Sequence, residues 1–482
     1  MKRKSDLKLN YIFNVLYQLS NIIVPLVTLP YLSRTISAQG LGSYSFAYSL
    51  AYYFYIFIRL GLHNYGNRTI ASVRDDCDKL SKTFFEIYAT QFFLGIVMTI
   101  AYIVYCILFS SEKLLSSIFI LVVISGTIDF TWMLYGLEEF KLTSLRDILT
   151  KVTTTIAIFC FVKTIEDVWK YALIYSLGFL LSQLIVIPVV SSKVHYVRPD
   201  LDGIKKHIMP NFILFLPTIA VSFYKTMDKI MLGAMSTDVE VGYYHGSENI
   251  IKVPLALITA LGTVMLPRMS NMLSREDDRK KIEYFFDKSI SFAMFISTSV
   301  CLGIMTVADL FVPFFYGNGF EKCRTLFYIL LPSCIFLAFA NVIRTQYLLP
   351  RKKDKQFIAS LFSGAAVNVS LNMILIPKYA SIGASIGTLA AEIVVCVVQA
   401  AFVYKEANIG RNVVNSLPFI ISGILMFGLF KGYRPPIQND IIALLVKILI
   451  SGVFYLVVLG AIILAKKRIR LADDILDNQK DR

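Results

Sequence analysis

The side chains in this chain that could do chemistry are polar and charged residues set at helical spacing inside long apolar runs. Asn10, Asn14, Gln18, Asn21, Pro25 and Thr28 recur every three to four residues and fall within roughly 80° of one helix face. Tyr44, Tyr48, Tyr52, Tyr55 and Arg59 repeat the pattern on the next run. Asn211, Thr218, Ser222, Lys225 and Lys229 form a third stripe, and Tyr244, Glu248, Lys252, Thr259 and Thr263 a fourth.

These residue types bind rather than catalyse, and no catalytic residue is assigned. A lysine at the middle of an apolar run, as Lys225 is, costs ~2.5–3.5 kcal/mol to insert, so it needs a partner or a water-filled space. Asp228 can pair with Lys225 or Lys229, and Glu248 with Lys252 four residues on. A surplus of positive charge remains, and Arg59 adds to it. Arg59, Lys225, Lys229 and Lys252 are therefore the candidate cations for an anionic ligand such as a phosphate or diphosphate. Asn10, Asn14, Gln18, Asn21, Tyr44, Tyr48, Tyr52, Tyr55, Ser222, Asp228, Tyr244 and Glu248 are the candidate lining. The tyrosines offer ring faces for sugars, or line the space without a specific contact. Asp129 and Glu392 lie deep in other runs and are candidates for carrying a coupling proton or ion. Asp309 and Arg344 sit near run ends, where a side chain can snorkel. The competing account of each stripe is ordinary helix packing with hydrogen-bonded polar residues.

No metal or cofactor is expected. The four histidines lack ligand spacing, the seven cysteines include no C-x-x-C pair, and Gly40-Leu41-Gly42 follows a helix rather than a strand.

The elements that must position these residues are transmembrane helices. Of 482 residues, 56% are hydrophobic and 17% charged, against about 25% charged in soluble domains. Runs long enough to cross a bilayer, about 20 residues each, fall near 10–33, 41–63, 84–109, 115–137, 147–163, 168–190, 212–236, 243–268, 289–313, 325–349, 358–377, 381–404, 416–432 and 440–465. The expected fold is an all-α polytopic membrane protein of about fourteen helices. Lys and Arg are about four times more frequent on one side of this arrangement, which puts both termini in the cytoplasm. The same loop charge accounts for the net +15, so nucleic acid is not an expected partner. The first run is long and polar-striped, and is expected to be a retained helix rather than a signal peptide. No loop is long enough to form a domain, which argues against an enzyme working on the outer face.

Read at an offset of 200, Leu32 meets Leu232, Gly42 meets Gly242 and Tyr44 meets Tyr244. The first two runs thereby pair with the seventh and eighth. The expected plan is two six-helix bundles, 1–200 and 201–410, around a central cavity, then two more helices in 411–465 and a cytoplasmic tail, 466–482. Duplicated transporters place their substrate between the repeats. Gly383 and Gly387 form a G-x-x-x-G read as helix packing.

Leu29-Pro30-Tyr31-Leu32-Ser33-Arg34, Gly40-Leu41-Gly42 with Tyr44-Ser45-Phe46-Ala47, and Leu60-Gly61-Leu62 with Tyr65-Gly66, Arg68, Ile70-Ala71 and Arg74 carry a resemblance. This stretch, roughly 10–90, resembles the polysaccharide transporter branch of the multidrug/oligosaccharidyl-lipid/polysaccharide exporter superfamily, the Wzx-type flippases of O-antigen and capsule repeat units. Ser37-Ala38-Gln39 departs from the Pro-Glu that often precedes these glycines. The resemblance implies a flippase of the bacterial cytoplasmic membrane for undecaprenyl-diphosphate-linked oligosaccharide; the repeat points to alternating access, and Asp129 and Glu392 to coupling to an ion. It also implies that helices 1, 2, 7 and 8 line the cavity, and that membrane lipids and other polysaccharide assembly proteins are neighbours. The alternatives are a lipid-linked peptidoglycan precursor flippase, a drug exporter of the same superfamily, and a membrane polysaccharide polymerase.

Overall fold

A computed structural model of the chain describes residues 2–275 and 279–480; side chains are described except at 2–12, 14, 15, 224, 225 and 468–480. The described residues are helical and include no strand. Large apolar side chains point outward. Phe93, Ile107, Leu108, Leu449 and Val457 are all more than 60% exposed. Asn368, Asn372, Gln91 and Gln346 are buried instead. That distribution is untenable in water and fits a lipid surround, where only polar groups need shelter.

Eleven helices or helix runs among the described residues are long and apolar enough to cross a membrane. The remaining expected spans fall on Lys2–Thr35, Ser37–Arg59 and Phe140–Phe161, whose polar stripes lower their hydropathy. The multi-pass architecture is established; fourteen is a proposed count.

The chain divides into two compact units, Met1–Gly246 and Ser247–Arg482. The first extends past the expected boundary at 200 because the Leu201–Met235 helix packs on Ser37–Arg59, Leu62–Val73 and Cys77–Leu108. Phe215 and Phe223 of that helix meet the rings of Phe57 and Tyr53.

At the other end of the same unit, the first turns of Asp238–Ser274 cross the first turns of Ser37–Arg59. A Cβ on Gly42 would strike the Asp238 carbonyl, and a Cβ on Gly242 would strike the Ala38 carbonyl. Positions 38 and 238 correspond at the repeat offset, so the contact is reciprocal. Ser45 Oγ lies 3.0 Å from His245 Nδ1, again corresponding positions.

The segment read as one helix over 115–137 is broken, into Lys113–Ile118, Ile120–Thr127 and Thr131–Gly136. A break frees backbone carbonyls, which lipid cannot satisfy. Gln91, 1% exposed, supplies the donor. Its Nε2 bonds the carbonyls of Gly126 at 2.7 Å and Asp129 at 3.1 Å. Trp132 Nε1 holds the other end of the Gln91 amide at 3.0 Å.

In the second unit, Gly383 and Gly387 lie against Leu375 and Asn372 of the Asp354–Tyr379 helix, the tight pairing expected of small residues. Asp309 does not snorkel. It accepts from Lys447 Nζ at 2.8 Å, and Lys447 is fully buried. Breaking a buried pair costs ~3–5 kcal/mol, so Lys447→Met should lower the melting temperature in detergent substantially. Lys447→Met combined with Asp309→Leu should recover most of the loss. Equal melting of the single variant and the wild type would rule out a stabilising role.

Candidate functional site

The first unit encloses a cavity of roughly 520 Å³. Its polar centre is Asp129, seated in the helix break and 1% exposed. The carboxylate accepts from Tyr55 Oη and from Thr131 Oγ1, and from the Thr131 backbone N–H at 2.9 Å. Arg59 Nε stands 3.1 Å from Oδ2, an ion pair not aligned as a hydrogen bond. Arg59 Nη1 donates to Tyr55 Oη at 3.1 Å. A carboxylate this deeply buried is tolerable only with such pairing.

Along the Ser37–Arg59 helix the tyrosine stripe forms a stacked ladder, with centroids 5.7 Å apart from Tyr48 to Tyr52 and 5.6 Å from Tyr52 to Tyr55. Tyr17, Tyr135 and Tyr175 complete the aromatic wall. The facing wall is charged. Arg146 donates to Asp147 at 2.7 Å and to Gln183 at 3.3 Å. Lys151 donates to Asn21 and lies 4.3 Å over the Tyr17 ring. Among the described lining residues, three cations (Arg59, Arg146 and Lys151) face two carboxylates, Asp129 and Asp147. The space is thus an aromatic-walled, polar cavity with one excess positive charge, suited to an anionic group carrying rings that can stack.

The structure brings Asn21, Tyr48, Tyr52, Tyr55, Arg59 and Asp129 together here. Tyr44 continues the ladder, stacked on Tyr48 at 6.0 Å and on Tyr171 at 4.1 Å, but it is buried and does not line the cavity. Gln18 is exposed. Asn211, Thr218, Ser222 and Lys229 of the third stripe do not line this cavity, because Leu201–Met235 packs on the opposite, Tyr53 and Phe57, face of Ser37–Arg59. There the Ser222 carbonyl accepts from Tyr53 at 3.0 Å. Asp228 accepts from Tyr244 at 2.6 Å, beside buried Lys229. Glu248 and Lys252 belong to the second unit and form the expected pair, 3.7 Å apart. Glu392 is also in the second unit, buried and within electrostatic reach of Arg344. The side chains of Asn10, Asn14 and Lys225 lie outside the described residues.

Arg146, Asp147, Lys151 and Tyr175 were not singled out from sequence. The signal for Arg146, Asp147 and Lys151 was the charged cluster at the start of the weak 147–163 run, which reads equally well as a loop end; Tyr175 lies inside the 168–190 run and carried no such signal.

Over residues 7–273 the sequence matches the family described as "Polysaccharide biosynthesis protein". It is 25% identical over 406 residues, 83% of this chain and 97% of the other, to the "Putative O-antigen transporter" of Escherichia coli strain K12. It is 22% identical over 234 residues, 48% of this chain and 49% of the other, to the "Probable low-salt glycan biosynthesis flippase Agl15" of Haloferax volcanii. In fold it resembles the solved structure "Lipid II flippase MurJ, inward closed conformation", with a TM-score of 0.73 at 17% identity over 96% of this chain and 99% of that one. The broken-helix cavity thus sits on a fold shared with a flippase, and the sequence match spans more than half the chain: this protein belongs to the polysaccharide biosynthesis family.

Proposed function

We propose that this chain is a flippase moving an undecaprenyl-diphosphate-linked oligosaccharide from the cytoplasmic to the outer leaflet of the bacterial cytoplasmic membrane. It crosses fourteen times with both termini inside, and is a transporter rather than an enzyme. The observation that carries the reading is the tyrosine-walled cavity with its excess positive charge. A diphosphate cannot enter hydrocarbon without cations to meet it, and sugar rings stack on tyrosine faces. In this cavity Arg59, with Arg146 and Lys151, meets the diphosphate; Lys225, Lys229 and Lys252, on other stripes, are the further candidate cations, the polyprenyl tail stays in lipid, and the head group passes by alternating access. Asp129 couples the cycle to an ion. Its carboxylate is held by Arg59, Tyr55 and Thr131, so loading by a proton or cation would loosen the broken helix. Glu392 is the corresponding candidate in the second unit.

Deleting the gene should leave lipid-linked oligosaccharide on the cytoplasmic side and remove surface glycan, with growth maintained. Intact surface glycan would end the proposal. Arrested wall synthesis would instead favour a lipid-linked peptidoglycan precursor, whose diphosphate asks the same of the site. Lys225→Ala should weaken export while membrane abundance stays unchanged; loss of abundance with normal export per molecule would assign Lys225 to an internal ion pair.

A further inference from the structure

The second unit has its own cavity, of roughly 430 Å³, where the end of Asp238–Ser274, the start of Arg279–Tyr316 and the chain around 346–351 and 406–408 meet. At its wall the helix widens into a single π turn, Arg344–Leu348, closed by Leu349 N–H to the Arg344 carbonyl at 3.0 Å. Such turns are rare and cluster at functional sites. Gln346 lies in this turn and lines the cavity. It is completely buried, and neither its amide oxygen nor its amide nitrogen has a hydrogen-bond partner. An unsatisfied buried amide costs ~1–3 kcal/mol for each group left unpaired, so its retention asks for a ligand that both donates and accepts.

Other capacity in the cavity is largely committed. Glu406 accepts from Tyr347 Oη at 2.6 Å and from Lys353 Nζ at 2.8 Å. Glu283 accepts from Arg279 Nε at 2.9 Å, and Asp287 accepts from Asn412 Nδ2 at 2.8 Å. Arg351 lies 3.7 Å over the Tyr347 ring, with a buried Nη1 that makes no hydrogen bond. The described lining holds three carboxylates against two arginines, a balance that does not attract an anion. What stays open is a donor and an acceptor on Gln346 and a donor on Arg351, beside the Phe286 ring and the apolar side chains of Met269 and Leu273.

We propose that this cavity binds a neutral sugar ring, with a hydroxyl or acetamido group exchanging hydrogen bonds with Gln346. This rests on the flippase reading. In the proposed orientation the loops that frame the cavity face the cytoplasm, so it meets a sugar of the lipid-linked head group before translocation. The site is separate from the cation-bearing cavity of the first unit, and it confers sugar preference rather than diphosphate affinity.

The test is saturation-transfer NMR on the full-length protein in nanodiscs, with N-acetylglucosamine as the probe and inorganic phosphate as competitor. Wild-type protein should transfer saturation to the sugar ring and acetyl protons, and phosphate should not displace it. Gln346→Leu should weaken binding about ten-fold. The melting temperature of Gln346→Leu in detergent, expected to be no lower than wild type because an unpaired buried amide is removed, guards against a folding artefact. Equal sugar signals in wild type and Gln346→Leu would overturn the inference, as would displacement by phosphate, which would make this an anion site. Failure here is distinguishable from failure of the flippase reading. If gene deletion removes surface glycan but Gln346→Leu changes neither sugar binding nor export, only this site is wrong. If deletion leaves surface glycan intact, the flippase reading itself falls.

Discussion

Cells carrying Asp129→Ala are expected to lose surface glycan by a factor of ten or more, and to hold less of the protein in the membrane. The carboxylate closes the helix break and is the counter-charge to Arg59, 3.1 Å away. Its removal leaves a guanidinium in the cavity without its partner, and breaking a buried pair from one side costs ~3–5 kcal/mol. The Tyr55 and Thr131 hydroxyls lose their acceptor at the same time. Pairing Asp129→Leu with Arg59→Leu should restore abundance but not export, because it removes the uncompensated charge but also takes from the cavity one of the three cations, Arg59, Arg146 and Lys151, that meet a diphosphate. Immunoblots of membranes give the first quantity and surface glycan staining the second. Normal export by the double variant would show that the pair only holds the break closed.

The second large effect is expected at the crossing of Ser37–Arg59 and Asp238–Ser274. Gly42→Val places two methyl groups where the Asp238 carbonyl lies, and the backbones must separate to admit them. Overpacking costs ~1–3 kcal/mol when side chains can yield; here the obstacle is backbone, so the loss should be larger. Because the contact is reciprocal, Gly42→Ala and Gly242→Ala should lower the melting temperature in detergent by similar amounts. A large loss for one and none for the other would mean that only one of the two approaches is close.

The helices were legible in the sequence because lipid imposes a simple rule: a run of about 20 apolar residues must span or hide. The tyrosine ladder was legible for the same kind of reason, since Tyr48, Tyr52 and Tyr55 share a face by helical spacing alone. What that ladder looks toward was not. One face of Ser37–Arg59 meets Arg146, Lys151 and Tyr175, the other meets Phe215 and Phe223, and spacing within one helix says nothing of its neighbours. Arg59 and Asp129 were each singled out, for anion binding and for ion coupling. Their pairing joins elements 70 residues apart, and no local pattern encodes it. The break at 128–130 was hidden because its repair comes from Gln91, on another helix. Gln346 was invisible for a further reason: a π turn shifts the phase of a stripe and defeats a reading at 3.6 residues per turn.

The contact between Ser45 and His245 bears on how such a chain arises. Were the two stretches related by a two-fold axis, residues at corresponding positions could touch each other only beside it. In an ancestor built from two identical copies, that place would have set serine against serine or histidine against histidine, the self-matching contact of an isologous dimer. A serine facing a histidine at 3.0 Å is an unlike pair that identical subunits cannot make on their shared axis. An unlike pair at positions 200 apart therefore needs two stretches that are free to differ, as they are within a single chain.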